Sequence, residues 1–386
     1  MKNANLSGNF VKADSVVAGA GIMGVFTALY LARKGQAVIL LDKGPIFRAA
    51  TGRTGGGVRQ QYRHPAETPL SMASVKIWAN LSEDLGMDIE YRRTGNLKLV
   101  RNEEEAVDAK ERVQRENAQG LEVFWWEEKD VREYLPILNP DLPIQGGTFC
   151  PSDGTANALL LAGAMHKALQ EAGVQLRTHE PAKKILVSDG NAIGIETDRN
   201  RYLADTVINT AGAWAQELIR TVGLDVPLFY RKSQIVVTEP VSPVFPCFIS
   251  FEHGYCRQAA SGNLHLGVRG YPVQNKNTDI SYQAFTDVGQ GYIQYFPFIG
   301  RILLIRGFAG ITTWSPDHIP IIDRVPEFNN LFIAAGFSGH GFCLGPIVGK
   351  LLAEWTVDGK ASMDLSAFSW SRFSNSKDIT RETSYE

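Results

Sequence analysis

The sequence predicts an α/β protein, α+β overall, on three observations. The first is Gly19-Ala20-Gly21-Ile22-Met23-Gly24, a G-x-G-x-x-G run set between a short apolar stretch and an apolar-periodic one. The second is a change of texture after residue 226, where strand-helix alternation gives way to strand-like alternation. The third is length: 386 residues suit two domains, or one domain carrying a large insertion.

Ser15-Val16-Val17-Ala18 reads as a short buried strand, and residues 25–34 as a helix with Val25, Leu29 and Ala32 on one face. Gly35 stops that helix. Ala37-Val38-Ile39-Leu40-Leu41 is a second apolar strand with Asp42 at its end. In such a Rossmann-like unit the glycines permit a tight turn and close backbone approach to a pyrophosphate, which the helix N-terminus attracts. Asp42 is placed to accept hydrogen bonds from a ribose diol. Strand, helix, strand and terminal acid together make the motif specific for a dinucleotide, with NAD and FAD both open at this point.

The loop Ala50-Thr51-Gly52-Arg53-Thr54-Gly55-Gly56-Gly57 is built to pack backbone against a flat or phosphorylated group, or to be a plain flexible turn. Residues 71–85 read as an amphipathic helix, 91–100 as strand, 103–120 as a charged, solvated helix, and 127–138 as helix and loop. A helix over 158–172 ends at Gly173. Strands follow at 174–177, 184–188 and 192–197, then a strand at 205–210 running into Ala211-Gly212-Ala213-Trp214. Strands at 234–238, 247–251, 255–258 and 264–268 form an antiparallel sheet. Phe332-Ile333-Ala334-Ala335-Gly336 is a buried strand leading through a glycine turn to a helix starting near Pro346. The tail after Phe373 is polar and frayed.

Composition narrows the function. A formal net charge of −2 offers no field for nucleic acid or an anionic membrane. Residues 1–13 lack an apolar signal core, and no segment approaches a membrane span. Cys150, Cys247, Cys256 and Cys343 contain no C-x-x-C pair, so no metal or iron–sulfur site is expected in this chain. Scattered cysteines point to reduced core residues and a cytoplasmic location.

Five motifs in order carry a resemblance: the glycine run with Asp42, the 52–62 loop, Asn209-Thr210-Ala211-Gly212-Ala213-Trp214, Ser315-Pro316-Asp317-His318-Ile319-Pro320, and Gly336-Phe337-Ser338-Gly339-His340-Gly341. Together they resemble the D-amino-acid-oxidase-type flavoprotein family over nearly the whole chain. Gly56-Gly57-Val58-Arg59-Gln60-Gln61 and Phe248-Ile249-Ser250-Phe251-Glu252-His253-Gly254 resemble the β subunits of heteromeric dehydrogenases of proline, hydroxyproline and opines, and of heterotetrameric sarcosine oxidase. The resemblance implies FAD and oxidation of a C–N bond in a small amino or imino acid by hydride transfer to flavin N5. It implies an FAD-binding domain over 1–90, 150–225 and 307–386, and a substrate-binding domain over 91–149 and 226–306. It also implies partner subunits supplying an acceptor, such as FMN or an iron–sulfur centre.

The cofactor-binding residues expected on this basis begin with Gly19, Gly21, Ile22, Met23 and Gly24, then Asp42 and Lys43. Arg53, Thr54, Gly55 and Gly56 follow from the glycine loop, with Ala182, Ala211, Gly212 and Trp214 from the middle of the chain. Gly336, Ser338, Gly339, His340, Gly341 and Phe342 complete the set, with backbone N–H groups of residues 342–345 facing the charge that develops at flavin N1 and the C2 carbonyl. Gly310 falls where monomeric sarcosine oxidases carry the cysteine that bonds to flavin, so non-covalent FAD is implied.

Among catalytic candidates, Arg59 falls where sarcosine oxidases carry a substrate-binding arginine, and its planar fork suits a carboxylate. The other reading is a surface or pyrophosphate-facing arginine. Tyr255 and Arg257, at i and i+2 of one strand, share a face that meets either ligand or solvent. His265 takes the place of the lysine that promotes reaction with oxygen in those oxidases, and it is cationic or neutral near pH 7. A dehydrogenase is therefore preferred over an oxidase. His340, like His253, is a candidate or a locally satisfied histidine. The competing readings are a self-sufficient glycine- or sarcosine-type oxidase forming hydrogen peroxide, and a non-catalytic flavin-binding assembly factor.

Overall fold

A computed structural model describes residues 10–373. The expectations for the polar N-terminal residues 1–9 and for the tail after Phe373 lie outside the described residues. Two compact units share the chain. The first takes Met1–Gly52, Leu161–Tyr230 and Thr312–Glu386, and the second Arg53–Leu160 and Arg231–Ile311. Residues 53–90, grouped by sequence with the nucleotide-binding segments, thus pack in the second unit.

In the first unit the strands run Ile321–Arg324, Leu331–Ala335, Arg201–Asn209, Phe10–Ala18, Val38–Leu41 and Gln175–Arg177 across one sheet. All neighbours after the first pair are parallel. Asn191–Glu196 and Lys184–Ser188 branch from Arg201–Asn209. Val16, Val17, Ile39 and Leu40 are wholly buried, as a parallel sheet covered on both faces requires.

Helix Ile22–Arg33 follows the first strand, and helix Gly341–Asp358 follows Leu331–Ala335. The two pack closely because the second offers glycine on the contact face. A Cβ at Gly345 would stand 2.5 Å from Ile22, and one at Gly349 2.5 Å from Phe26.

Three elements differ from the sequence expectation. The last helix begins at Gly341, not near Pro346, which lies inside it. Proline marks a first turn well because it needs no N–H there, but a packed helix also tolerates it one turn further in at the loss of one bond. The strand expected over 91–100 is confined to Asn96–Val100, because Gly95 at φ +85° turns the chain just before it. The helix expected within 127–138 is Glu128–Tyr134, ended by Leu135 before Pro136, a position that disfavours helical backbone.

The second unit is built on an eight-stranded sheet ordered Leu304–Trp314, Phe229–Pro240, Asn263–Val273, Gly254–Gln258, Phe248–Phe251, Asn96–Val100, Gly146–Cys150 and Phe124–Glu127. Leu97, Leu99, Ile249, Phe251, Cys256, Leu264 and Leu266 point to one side and form its core. Alternation then places Asn96, Lys98, Phe248, Ser250, Tyr255, Arg257, His265 and Gly267 on the other side. Helix Glu103–Ala118 is capped by Asn102, whose side chain accepts the Glu105 N–H at 2.8 Å. It is mostly exposed, but Glu116 on its inner side is buried, which corrects the picture of a wholly solvated helix.

Candidate active site

In the first unit the glycine turn is fixed from three directions. Thr210 Oγ1 donates to the carbonyl of Ala18 at 2.9 Å or that of Gly19 at 3.1 Å, and the Thr210 N–H donates to Ala18 at 2.9 Å. Gly19 has φ +104°, and any Cβ on Gly24 would lie 1.8 Å from the Gly19 carbonyl oxygen. Neither position accepts a side chain. Asp42 closes the turn: Oδ2 accepts the Ala20 N–H at 2.7 Å and Oδ1 the Gly44 N–H at 2.8 Å. Burial pushes its carboxyl above the usual range against those two hydrogen bonds. Each oxygen keeps a lone pair for a sugar hydroxyl.

At the helix start, the Ile22 N–H goes to Thr51 Oγ1 at 3.1 Å and the Val25 N–H to the Gly21 carbonyl at 3.0 Å. The amides of Met23 and Gly24 are left to an anion at the positive end of the helix. Lys43, after Asp42, lies over the ring of Trp214, joining two expected cofactor residues. Ala211 and Gly212 open the short turn before Trp214. Ala182 packs with the apolar cluster of the sheet instead.

The C-terminal turn meets the same helix start. Gly336, Ser338 and Gly339 have φ of +71°, +50° and +86°. Ser338 donates its N–H to the Thr313 carbonyl at 2.9 Å. His340 is the N-cap, and its N–H donates to the Phe337 carbonyl at 2.7 Å. Gly341, next to Phe342, lies beside Met23: a Cβ there would stand 3.4 Å from Met23 Cε. Because the helix begins at Gly341, its amino end lies five residues earlier than sequence placed it, and the Leu344 N–H is already bonded to the His340 carbonyl at 3.3 Å. This unit fits a dinucleotide: a turn no Cβ can enter, amides at a helix start, and an acid at the end of the next strand.

In the second unit the glycine loop lies on the polar side of the sheet. A Cβ at Gly55 would fall 2.4 Å from the Tyr255 hydroxyl oxygen, and one at Gly56 3.3 Å from Arg257 Nη2. Thr54 Oγ1 accepts the Gly56 N–H at 3.2 Å. Arg53 donates to the Ala309 carbonyl and packs against Gly310. The Arg59 guanidinium carbon stands 5.2 Å from the centre of the Phe248 ring, and Phe248 stacks on Tyr255 at 4.9 Å. Arg257 and His265 are opposite each other across two strands. Four of the expected catalytic residues, Arg59, Tyr255, Arg257 and His265, thus share one face. His253 packs edge-on to Tyr295 at 6.0 Å in another part of the unit.

The electrostatics of this face are one-sided. Arg257 Nε is buried without a hydrogen-bond partner, and burial holds its guanidinium below its usual range. Burial, with Arg257 and Arg306 nearby, pushes His265 down to about 3, so its ring is neutral at pH 7 and the cationic alternative is set aside. Burial pushes the Tyr255 phenol up to about 12, which keeps its proton available to an anion.

Sequence reasoning missed two carboxylates that fix the backbone just after Arg59. Asp153 Oδ1 accepts the Gln60 N–H at 2.6 Å, and Glu116 Oε1 accepts the Tyr62 N–H at 2.7 Å. Asp153 lies in none of the motifs that the sequence singles out. Glu116 was hidden in a run of charge. Lys98, also missed, sits on the same face, 4.6 Å from the Tyr62 ring centre.

A glycine turn at a helix start with a terminal acid, backed by a second strand-to-helix turn from the chain's end, defines a dinucleotide-binding protein. The chain belongs to the FAD dependent oxidoreductase family, which matches residues 14–355. It is 26% identical over 353 residues to sarcosine oxidase subunit beta of Rhodobacter capsulatus, spanning 90% of this chain and 85% of that one. It is 29% identical over 393 residues to peroxisomal sarcosine oxidase of Homo sapiens, spanning 93% and 96%. Among solved structures, L-proline dehydrogenase from P. horikoshii superposes with a TM-score of 0.89 at 29% identity, covering 94% of this chain and 98% of that one. Among the described residues no helix is long and apolar enough to cross a membrane, and no group of three or more His, Cys, Asp or Glu could hold a metal.

Proposed function

We propose that this chain oxidises the C–N bond of a small amino or imino acid, as the catalytic subunit of a heteromeric dehydrogenase. The observation that carries the reading is the Arg59–Phe248–Tyr255 stack with Arg257 on the same face. The planar guanidinium fork suits a carboxylate, and Arg59 is the first choice to hold it bidentately. FAD, when bound, supplies the two-electron acceptor for the hydride that leaves the substrate α-carbon. Met23 and Gly24 amides and Asp42 would hold its ADP half, and the turn from Gly336 to Gly341 its flavin half. Gly310 offers no thiol, which supports non-covalent attachment.

The protein's own contribution is positioning. The Tyr255 hydroxyl, its proton retained, donates to the carboxylate beside Arg59. Neutral His265 offers a hydrogen-bonding nitrogen without charge. Its neutrality favours an electron acceptor other than oxygen, and likeness to a sarcosine oxidase β subunit supports partner chains, which would carry that acceptor as FMN or an iron–sulfur centre. Anaerobic addition of L-proline, hydroxyproline, sarcosine, glycine, octopine or nopaline should bleach the visible flavin absorption of the purified protein. If none does, the reading fails. Hydrogen peroxide formed by the single chain would instead favour a self-sufficient oxidase.

A further inference from the structure

We infer that the substrate carries a second carboxylate, bound by Lys98, so that the enzyme acts on secondary amines bearing two acid groups. The inference rests on the reading of the Arg59 face as the substrate site. Strand register supplies the first argument. Lys98 is beside Ser250, and Ser250 is opposite Tyr255, so the three share one row and one side of the sheet. Arg257 occupies the next row, aligned with Phe248 and Asn96. At usual strand spacings the Cα atoms of Lys98 and Arg257 are roughly 12 Å apart, with Arg59 over Phe248 between them. The face therefore has two separated cationic ends.

Charge supplies the second argument. Among the described residues no carboxylate lies within ion-pair distance of Lys98, and its ammonium contacts the Tyr62 ring. Burial pushes it down to about 8, and Arg59, Arg112 and Arg269 act on it as like charges against the opposing Glu105. The nearby Glu116 is a weak counter-charge, since burial pushes it up to about 7. Arg257, whose Nε is buried without a hydrogen-bond partner, and Lys98 held this way are costly in the free protein and are offset by an anion that reaches them. One carboxylate neutralises one end. A diacid neutralises both.

The test uses the flavin-loaded protein and two unreactive ethers, oxydiacetate with two carboxylates and methoxyacetate with one. Affinities are read from the shift of the flavin spectrum and from thermal stabilisation. Oxydiacetate should bind about tenfold tighter or better at pH 7, as a charge-assisted contact allows. That preference should fall towards one in Lys98→Met, return in Lys98→Arg, and fade in the wild type as pH rises through about 8. Equal binding of the two ethers in the wild type would overturn the inference. So would a Lys98→Met variant that weakens both equally, loses FAD alone, or changes reoxidation by oxygen alone. If monocarboxylic amines bleach the flavin while diacids show no advantage, this inference fails and the proposed function stands. If no amino or imino acid bleaches it and neither ether binds, both fail.

Discussion

Gly349 of the last helix lies against Phe26 of the first: a Cβ at Gly349 would stand 2.5 Å from Phe26 Cβ and 2.7 Å from its carbonyl carbon. With Gly345 against Ile22 one turn earlier, this contact holds the two helix starts of the nucleotide unit together. Gly349→Val should therefore overpack the interface and cost roughly 1–3 kcal/mol, with loss of bound FAD. Gly163 in helix Ala158–Glu171 has open space around it, and Gly163→Ala should gain roughly 0.5–1 kcal/mol. Denaturant unfolding and flavin content check both. A Gly349→Val protein with full flavin and unchanged stability would contradict the packing argument.

Thr51 binds the Ile22 N–H at 3.1 Å, acting as a cap supplied from a distant loop. Thr51→Val keeps the shape and removes the acceptor, and should cost about 1 kcal/mol in urea unfolding, while Thr51→Ser retains most of it.

Glu116 sets a pH dependence. Burial raises its folded pKa from 4.5 to about 7, so the folded state holds a proton that the unfolded state has lost. Stability from this group is complete below about 4.5 and is lost as pH rises to about 7. The loss is on the order of 3 kcal/mol, since each pH unit of displacement is worth about 1.4. Glu116→Gln, which keeps an acceptor for Tyr62, should flatten the stability profile between those values. An identical slope in wild type and variant would count against the buried carboxyl.

Neutral His265 withholds a positive charge from the face it shares with Tyr255 and Arg257. His265→Lys should speed reoxidation of the reduced protein by oxygen, on the order of tenfold, if cationic stabilisation of the reduced oxygen species is what the site lacks. Stopped-flow mixing with oxygenated buffer measures it.

The nucleotide half was largely legible in sequence because its physics is local. Gly19, Gly24 and Asp42 declare a turn and an acid within one β-α-β unit. The start of the last helix was misplaced because Pro346 looks like a first-turn residue, whereas Gly341, Gly345 and Gly349 are spaced to face a partner helix distant in sequence. In the second unit, Arg59 and His265 were singled out by family resemblance, and Tyr255 and Arg257 by their i, i+2 spacing on one strand. Their union on one face depends on strand register, which one sequence does not fix. Lys98 and Glu116 escaped for the same reason: the first reads as the polar residue of an alternating strand, the second as one more charge on an acidic helix.

The central claim is that Arg59 holds the carboxylate of an amine that the flavin oxidises. The most direct measurement is anaerobic rapid mixing of substrate with wild-type, Arg59→Lys and Arg59→Met proteins, following flavin bleaching across substrate concentrations. Bleaching in the wild type should be saturable. The substrate dissociation constant should rise at least about tenfold in Arg59→Met and less in Arg59→Lys, with FAD content unchanged. Bleaching with the same dissociation constant in all three proteins would contradict it.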